Sequence, residues 1–394
     1  MRILYLADIR FPLERANGIQ TFETCRALAA RGHTVRLVVR RDTHRPARDP
    51  WQFYGAARVG GLSFETVPVA GPPALRRLRY LAAALLQSTR AESDVAFTRD
   101  LGLASMLTRL PRAVRPPVVY ESHGDAATLS RELPRLIRGA PAPSPAKLAR
   151  LERRERHVWR SADGYVTLTA AHLRELEARY GRRSLAAAVP DGARLDAGRT
   201  FTLPTPESGP LVGYAGHLYP WKGVDVLLQA IARLEAVRAV IVGGQPGETD
   251  RGRLEALAAA LGVDARVRFT GWLPPAAVPA ELARCHVLVL PNARTEISAR
   301  YTSPLKLFEY LAAGRPIVAS DLPALAEVLS NDRNAVLVPP GDEEALAAAV
   351  SGLLHDRARA ERLARQAYSD AEQYSWDRRA ERLEPVLHAA GARA

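Results

Sequence analysis

The chain has 394 residues, of which 47% are hydrophobic, and it carries a net charge of +13. This length exceeds what a single hydrophobic core usually organises, so we expect two domains. The longest aliphatic run, residues 81–86, is far shorter than the ~20 residues that span a bilayer, and Asp8 comes too early for a signal peptide. The two cysteines, Cys25 and Cys285, lie too far apart in sequence to indicate a disulfide framework or a zinc site. This pattern favours a cytoplasmic protein.

The positive charge is concentrated in the first half of the chain. Residues 1–200 carry 34 basic and 19 acidic side chains, whereas residues 201–394 carry 21 and 23. A basic half attracts phosphates, nucleic acid or an anionic membrane surface, although an arginine-rich surface that is simply solvated is the alternative. The first half contains no aromatic-rich binding strand or nucleic-acid module, so we expect no nucleic acid partner.

Lysine is rare. Of the 55 basic residues only Lys147, Lys222 and Lys306 are lysines. A chain that uses arginine almost everywhere should keep lysine for positions that need a compact ammonium group rather than the planar guanidinium group of arginine.

Short β-branched runs alternate with helical patterns along the chain, which predicts parallel sheets covered by helices, an α/β fold. In the first half the predicted strands are residues 2–7, 35–40, 64–69, 95–98, 118–121, 164–168 and 187–190. In the second half they are residues 211–214, 239–242, 267–270, 287–290, 316–319 and 335–338.

The two halves are predicted to be separate Rossmann-like domains. A linker rich in proline and glycine spans residues 196–210 and divides the domains, which we place at 1–195 and 209–375. We expect the two sheets to face each other across a cleft at their carboxyl ends, where such folds bind ligands. A last amphipathic helix follows the second sheet.

One lysine follows the first strand of the second half. Residues 213–230 run from a strand ending in small residues, through a short loop, to Lys222 and Gly223, where we expect a helix to begin. Backbone amides at a helix N-terminus with an ammonium group beside them form a phosphate site. We therefore predict that Lys222 binds phosphate; a solvent-facing lysine is the alternative.

A second candidate segment spans residues 301–320. Thr302 and Ser303 precede a predicted helix, where they can cap it and offer free amides to an anion. Glu309 lies further along this helix among apolar neighbours, and a carboxylate there needs a partner such as vicinal ribose hydroxyls. A capping or salt-bridging glutamate is the alternative.

A third candidate follows the predicted strand at 267–270. Gly271 would let a flat ligand approach the backbone, and the loop that continues through Trp272 and Leu273 could hold the edge of a nucleobase. For Trp272 alone, packing in the core is the commoner role.

These segments resemble the large family of retaining glycosyltransferases called glycosyl transferases group 1, which have the GT-B fold. Lys222-Gly223 is similar to the family's phosphate site, and Phe269-Thr270-Gly271 to its base loop. Glu309 and residues 313–320 resemble the family's Glu-x7-Glu helix.

The first half carries the resemblance too. Asn17-Gly18 resembles the family's glycine-rich loop, His123 its strand-end histidine near the donor sugar, and residues 189–192 its domain-edge motif. Ser375-Trp376 resembles the start of the family's terminal helix, which crosses back to the first domain, so we assign residues 376–394 to that domain.

The resemblance implies an enzyme that moves a sugar from a nucleoside-diphosphate sugar to a hydroxyl acceptor. It suggests His123, Lys222 and Glu309 as catalytic residues. The implied donor-binding residues are Gly18, His217, Gly271, Trp272, Leu273, Tyr301, Ser303, Pro304, Leu305 and Glu309. The sequence contains no Asp-x-Asp pair, so we expect no metal and no other cofactor.

Two positions depart from the family pattern. The first glutamate of Glu-x7-Glu is replaced by Tyr301, so recognition of the donor sugar must differ, and Glu296 is a possible substitute. His217 stands where the family usually has an arginine beside the diphosphate. Binding of the phosphates is therefore expected to depend more on Lys222 and on backbone amides.

Transfer builds negative charge on the departing phosphate, so catalysis requires hydrogen-bond donors aimed at it: Lys222, His217, and the amides of Gly18 and of the Ser303–Leu305 turn. By resemblance, attack comes from the same face and the leaving phosphate accepts the acceptor's proton. We therefore expect His123 to lie by the donor sugar rather than act as a base. A purely structural histidine is the alternative.

The acceptor is expected to contact the first half. Its basic surface and the amphipathic segment 73–90 suit a lipid-linked acceptor at the inner membrane face, although such a helix more often only docks on its sheet. A soluble acceptor, including a natural-product scaffold, is also open.

Other function classes compete with this reading. A sugar-nucleotide epimerase or a phosphorylase would share the architecture, and a non-catalytic binding protein would account for the basic half. An NAD-dependent dehydrogenase would need Gly-x-Gly-x-x-Gly after the first strand, which is absent.

Overall fold

The computed structural model describes residues 1–68, 70–90, 92–136, 141–196, 198–205, 209–244, 250–301 and 303–392. The chain folds into two compact units. The first comprises Met1–Arg131, Ala142–Asp191 and Trp376–Ala394. The second comprises Glu132–Pro141 and Gly192–Ser375, so the last helix is grouped with the first unit.

The first unit is built on a seven-stranded parallel sheet in the order β3-β2-β1-β4-β5-β6-β7. Its strands are β1 (Arg2–Arg10), β2 (Thr34–Arg40), β3 (Leu62–Val67), β4 (Val95–Thr98), β5 (Val118–Ser122), β6 (Gly164–Thr167) and β7 (Ala186–Ala188). The helices that begin in it are α1 (Ala16–Ala30), α2 (Pro50–Tyr54), α3 (Pro73–Arg90), α4 (Leu101–Leu107), α5 (Ala126–Leu136), α6 (Pro145–Ser161), α7 (Ala170–Tyr180) and the C-terminal α15 (Trp376–Gly391).

The second unit is built on a six-stranded parallel sheet in the order β10-β9-β8-β11-β12-β13. Its strands are β8 (Leu211–Ala215), β9 (Arg238–Val242), β10 (Val267–Gly271), β11 (Val287–Leu290), β12 (Ile317–Ser320) and β13 (Val336–Val338). Its helices are α8 (Val224–Ala232), α9 (Asp250–Ala260), α10 (Val278–Ala283), α11 (Leu305–Ala313), α12 (Pro323–Ala326), α13 (Glu343–His355) and α14 (Arg357–Asp370).

Both sheets have the same winding. In each, three strands run outward to one edge, and the fourth returns to pair with the first. The direction in which successive strands are added across the sheet therefore reverses between β1 and β4, and again between β8 and β11. In open parallel sheets this reversal leaves a crevice at the carboxyl ends of the two central strands, where ligands bind.

The alternation of predicted strands and helices is confirmed. Each predicted strand overlaps an observed one, and β4 and β11 have the predicted bounds; Val69, the last residue predicted for the third strand, lies outside the described residues. These strands are recognisable in the sequence because helices cover both faces of each sheet, which makes the strands continuous apolar runs. In the second unit Val212 and Val289 pack in one core cluster and Ala215 and Leu288 in another.

None of the helices in the described part of the chain has the length and apolarity needed to cross a bilayer.

The start of the helix after β8 corrects a prediction. The sequence predicts a helix that begins at Lys222 and Gly223, but Lys222 ends a short 3-10 turn, and α8 begins only at Val224. Gly223, between the two, has φ of +72°, in the left-handed region. A β-carbon at this position would lie 1.7 Å from the carbonyl oxygen of Pro291. Glycine is therefore required here by both backbone conformation and space.

We expect Gly223→Ala to lower the free energy of unfolding by about 2 kcal/mol or more, because alanine there is strained and clashes with backbone. Gly252→Ala is the matched control, since Gly252 lies inside α9 with open space around its α-carbon. There alanine should stabilise by about 0.5–1 kcal/mol. Denaturant unfolding of both variants measures the difference, and equal effects would contradict this account of Gly223.

Candidate functional site

The loop after β8 is held by stacked aromatic rings. The rings of His217 and Tyr219 stack with centroids 5.0 Å apart, and those of Tyr219 and Trp221 with centroids 4.6 Å apart. The hydroxyl of Tyr214 donates a hydrogen bond to the carbonyl oxygen of His217 at 2.5 Å. The loop therefore has a defined shape before it reaches Lys222.

At Lys222 it is the side chain, not the backbone, that is available to a ligand. The amides of Lys222 and Gly223 donate to the carbonyls of Tyr219 and Pro220, which closes the 3-10 turn internally. The ammonium group has no hydrogen-bond or ion-pair partner among the described residues. Burial lowers the pKa of Lys222 to about 8. A partly desolvated cation without a protein partner is suited to hold an anion.

A second lysine lies beside this turn. Lys306, in the first turn of α11, is 7% exposed, and its Nζ has no hydrogen-bond partner within the described structure. The Nζ lies 3.8 Å from the centroid of the Tyr214 ring, in a cation–π contact. Burial and the charge of Lys222 hold the pKa of Lys306 well below its usual range, against the opposing effect of Glu309.

The position of α11 is fixed against the end of β8. The amide of Ala215, the last residue of that strand, donates to the hydroxyl of Tyr310 at 2.7 Å. Glu309 precedes Tyr310, and burial raises the pKa of its carboxyl group to about 7, against the opposing charges of Lys306 and Arg194. No hydrogen-bond donor or cation of the described residues pairs with this carboxylate, which does not support the salt-bridging alternative.

Two further buried polar side chains lie between β11 and α11. Asn292, two residues after the strand, is fully buried, and neither its amide nitrogen nor its amide oxygen has a hydrogen-bond partner in the described structure. The hydroxyl of Ser298 is likewise buried, and it has no hydrogen-bond partner among the described residues. Each such group costs about 1–3 kcal/mol when left unpaired, so a bound ligand or water is the expected partner.

These groups occupy the switch point of the second sheet, because Lys222 follows β8 and Asn292 follows β11. Two ammonium groups with lowered pKa values, one carboxyl group with a raised pKa and one buried amide lie on three segments anchored to those strands. Such a set can bind a polyanion that also carries hydroxyl groups, because the ammonium groups attract phosphates and the carboxylate accepts from hydroxyls.

The remaining residues predicted for the second half lie on neighbouring segments. Gly271 ends β10 with φ of +72°, and its carbonyl oxygen accepts from the amide of Gly243 at 3.1 Å. Trp272 and Leu273 follow and are half-buried. His217 is engaged in the aromatic stack.

Of the segment before α11, Tyr301 is buried, and Pro304 occupies the N-cap position, followed by Leu305. Ser303 is half-buried, and Thr302 lies outside the described residues. The proposed substitute acid, Glu296, is exposed and pairs with Arg300 at 3.1 Å.

In the first unit, a buried ion network surrounds Glu121 at the end of β5. Its carboxylate accepts from Gln20 at 2.6 Å and from Nε2 of His123 at 2.6 Å, and it forms an ion pair with Arg379 of α15. Burial alone would raise the pKa of Glu121, but Arg379 and His123 outweigh it and hold the pKa well below its usual range.

This network fixes the state of His123. Its Nε2 faces Glu121, and its Nδ1 lies 3.0 Å from the guanidinium of Arg99, which can only donate. Burial and Arg99 lower the pKa of His123 to about 4. The ring is therefore neutral at pH 7 with both nitrogens engaged, an arrangement that does not favour a role as general base.

Arg379 also contacts the backbone of the motif at residues 189–192. Its guanidinium donates to the carbonyl oxygens of Val189 and Pro190 at 2.8 Å each. The C-terminal helix therefore ties together that motif and the end of β5.

The amide of Gly18 is engaged within the protein, and the predicted role of Gly18 in donor binding stays a prediction. Gly18 lies in the first turn of α1, and its amide donates to the carbonyl of Arg15 at 2.8 Å, so the amide is already used within the protein. A β-carbon at Gly18 would lie 2.3 Å from the carbonyl oxygen of Leu13. Close packing, rather than an offered amide, accounts for glycine here.

Several residues of these two clusters were not singled out as site residues from the sequence. They are Lys306, Asn292, Arg99, Gln20 and Arg379. Lys306 could have been found from the rarity of lysine, and Asn292 and Arg99 from their positions within two residues of the ends of central strands. Arg379 is one arginine among many and gives no such signal.

The sequence matches two family profiles. Residues 17–192 match the glycosyl transferase 4-like domain, and residues 209–356 match glycosyl transferases group 1. A D-inositol 3-phosphate glycosyltransferase from Nocardia farcinica is 30% identical over 301 residues, which cover 71% of this chain and 64% of that protein. A 2-deoxystreptamine glucosyltransferase from Streptomyces kanamyceticus is 30% identical over 52% of this chain and 54% of that protein. The chain thus spans less than two thirds of the length of either relative.

Solved structures agree in fold. Sucrose-phosphate synthase from Thermosynechococcus elongatus superposes with a TM-score of 0.80 at 18% identity, over all of both chains. HepE from Anabaena, in complex with UDP-glucose, superposes with a TM-score of 0.75 at 18% identity, over 98% of this chain and 99% of that one. These matches show the GT-B fold of two Rossmann-like domains. Since the two family profiles together match most of the sequence, the chain belongs to the glycosyl transferases of group 1.

Proposed function

We propose that this protein transfers a sugar from a nucleoside-diphosphate sugar to a hydroxyl acceptor, with retention of configuration at the sugar. The observation that carries the proposal is the group of unpaired side chains at the switch point of the second unit. Lys222 supplies an ammonium group for the diphosphate, and Glu309 an acceptor for the ribose hydroxyls. The similarity to HepE, whose structure contains UDP-glucose, supports a donor of this class.

The chemistry follows from charge. As the bond between sugar and phosphate breaks, negative charge grows on the departing diphosphate, and an ammonium group that meets it in a desolvated site stabilises the transition state. Lys222 is suited to this because burial has already removed part of its hydration. In this mechanism the departing phosphate accepts the acceptor's proton, so a separate base is unnecessary, in keeping with the engaged nitrogens of His123. How His123 lies against the donor stays a prediction.

The first experiment measures release of nucleoside diphosphate and transfer of labelled sugar from UDP-, GDP-, ADP- and dTDP-sugars, with and without EDTA. We expect one donor class to be used, with activity retained in EDTA. Lys222→Ala should lower kcat/KM about 10²- to 10³-fold, because it removes a charge aimed at the leaving group. Glu309→Gln should raise the dissociation constant of the nucleotide about tenfold.

Lys147→Ala is the matched control, because Lys147 is the third lysine of the chain and is exposed on α6. It should behave as the unmodified protein. An NMR spectrum of the product that shows inverted configuration would contradict retention. The melting temperature of the protein, measured with each nucleotide and with RNA, tests the alternative function. If RNA raises it and no nucleotide does, the protein is better described as a non-catalytic binding protein.

Nucleotide binding should weaken at high pH. The phosphates are held by the protonated form of Lys222, whose pKa is about 8 in the empty site. The dissociation constant of the preferred nucleoside diphosphate should rise as pH increases from 7.5 to 9.5, approaching tenfold per pH unit above 8. Titration calorimetry measures it, and a dissociation constant that does not change over this range would contradict a role for the ammonium group.

For the acceptor, we propose a lipid-linked molecule reached at a membrane surface. The observation that favours it is the orientation of α3, which leaves three of its leucines exposed: Leu75, Leu78 and Leu86 are 37%, 63% and 43% exposed. Its inner face carries Tyr80, which donates to the carbonyl of Val38 at 2.8 Å. An outward apolar stripe on a basic unit fits an anionic lipid surface.

Inner-face residues of α3 include Arg77, whose ion pairs with Asp8 and Asp100 turn its charge inward. The helix is therefore docked on the sheet through Arg77 and through an apolar face in which Tyr80, Ala84 and Leu81 pack. Docking alone does not account for its outward leucines.

We expect the protein to sediment with vesicles containing about 30% anionic lipid, and less with neutral vesicles or at high salt. The triple variant Leu75→Ser, Leu78→Ser and Leu86→Ser should lose most of this binding. Val114→Ser is the control, because Val114 is 48% exposed outside α3. Equal vesicle binding by the triple variant and the control would contradict an acceptor reached at a membrane surface and would favour a soluble acceptor.

A further inference from the structure

The Lys306 ammonium group is buried without an ionic or hydrogen-bonding partner in the described structure. Isolated buried charges are strongly unfavourable, so a protein either pairs such a group or lets it lose its proton. The Tyr214 ring, 3.8 Å away, offers only a cation–π contact. As far as the described residues go, the group lacks the anion that would balance its charge.

The surroundings of Lys306 indicate where that anion would lie. A β-carbon at Gly216, the first residue after β8, would lie 3.6 Å from the Lys306 Nζ. The ammonium group therefore lies against the start of the loop that carries Lys222. The two lysines are close enough for the charge of Lys222 to lower the pKa of Lys306. Repulsion between two unpaired cations disappears when an anion of two or more charges lies between them.

We propose that Lys306 is a second ligand of the donor's diphosphate, which it reaches from α11 while Lys222 reaches it from the loop after β8. This inference rests on the proposed function, because it assigns a further residue to the same donor site. Glu309 lies one turn further along α11, so one helix would contact both the diphosphate and the ribose.

An acceptor phosphate is the other possible source of the same chemistry. The position of Lys306 favours the donor, because Tyr310 of the same helix is bonded to the last residue of β8, and Lys306 lies over Tyr214 of that strand. Both contacts place the ammonium group at the carboxyl end of β8, beside the turn that holds Lys222.

The choice of lysine has a physical reason. The space beside the Tyr214 ring and Gly216 is narrow, which suits a compact ammonium group. Unlike arginine, lysine can release its proton when the site is empty and take it up when an anion arrives. Donor binding should therefore be accompanied by proton uptake.

Lys306→Met tests the proposal, because methionine keeps an unbranched side chain and removes the charge. In the nucleotide-free protein we expect the midpoint of denaturant unfolding to stay the same or rise, since a buried unpaired charge is replaced by an apolar group. The dissociation constant of the preferred nucleoside diphosphate should rise about 10- to 100-fold. Uridine, or the corresponding nucleoside, should bind both proteins equally.

Calorimetry in two buffers of different ionisation enthalpy gives the number of protons taken up on binding. At pH 8 we expect proton uptake by the unmodified protein and less uptake by Lys306→Met. Lys147→Met is the matched control and should change neither the affinity nor the proton uptake. Lys306→Gln, which keeps a polar side chain, is the second variant and should lose affinity in the same way.

Several outcomes would overturn the inference. If both Lys306 variants unfold more easily but bind the nucleoside diphosphate with unchanged affinity, Lys306 is a structural residue. If nucleotide affinity is unchanged and only the KM of a phosphorylated acceptor rises, the anion belongs to the acceptor. Failure of the proposed function looks different, because then the unmodified protein itself binds no nucleoside diphosphate.

Discussion

The return of β11 to the centre of its sheet, beside β8, is the constraint on which the candidate site depends. It brings together the ends of two strands that are more than seventy residues apart in sequence. The connections that follow these two strands lead to opposite sides, so the space between the strand ends stays open. Gly223 packs against the Pro291 carbonyl, which joins the turn after one strand to the segment after the other. Lys222 and Asn292 therefore owe their proximity to winding and to one close backbone contact. Helix α11 completes the arrangement through the hydrogen bond between Ala215 and Tyr310.

Two clusters of buried polar groups, one in each unit, differ in whether the protein itself satisfies them. In the first, Glu121 is surrounded by donors and by the guanidinium of Arg379, so its charge is balanced within the protein. In the second, Lys306 and Asn292 are buried without such partners in the described structure. The first pattern is that of a rigid support, since removing one partner would leave an unpaired charge in the protein interior, which is strongly destabilising. The second is that of a binding site, whose stability is lowered until a ligand satisfies it.

The C-terminal helix has a definite part in the first unit. Arg379 joins the end of β5, the carbonyls of Val189 and Pro190, and Thr24 of α1 at 3.2 Å. Arg31 of the first unit also pairs with Glu384 of the same helix at 2.8 Å. A helix made from the last residues of the chain thus holds residues from its first two hundred, and its Arg379 helps to keep Glu121, the hydrogen-bond partner of His123, ionised.

By itself the sequence determined the fold class, the order of strands and helices, and Lys222 and Glu309 as candidates, because strands covered on both faces leave apolar runs and rare residue types stand out. It did not determine the start of α8, which depends on the left-handed conformation of Gly223, or the use of the Gly18 amide, which donates to its own turn. Only the tertiary structure decided that Lys306 and Asn292 are buried without partners among the described residues, and that Leu75, Leu78 and Leu86 of α3 are exposed while Arg77 faces its sheet. The physical reason is that burial and pairing depend on residues far apart in sequence, whereas hydrophobic periodicity is a property of neighbours.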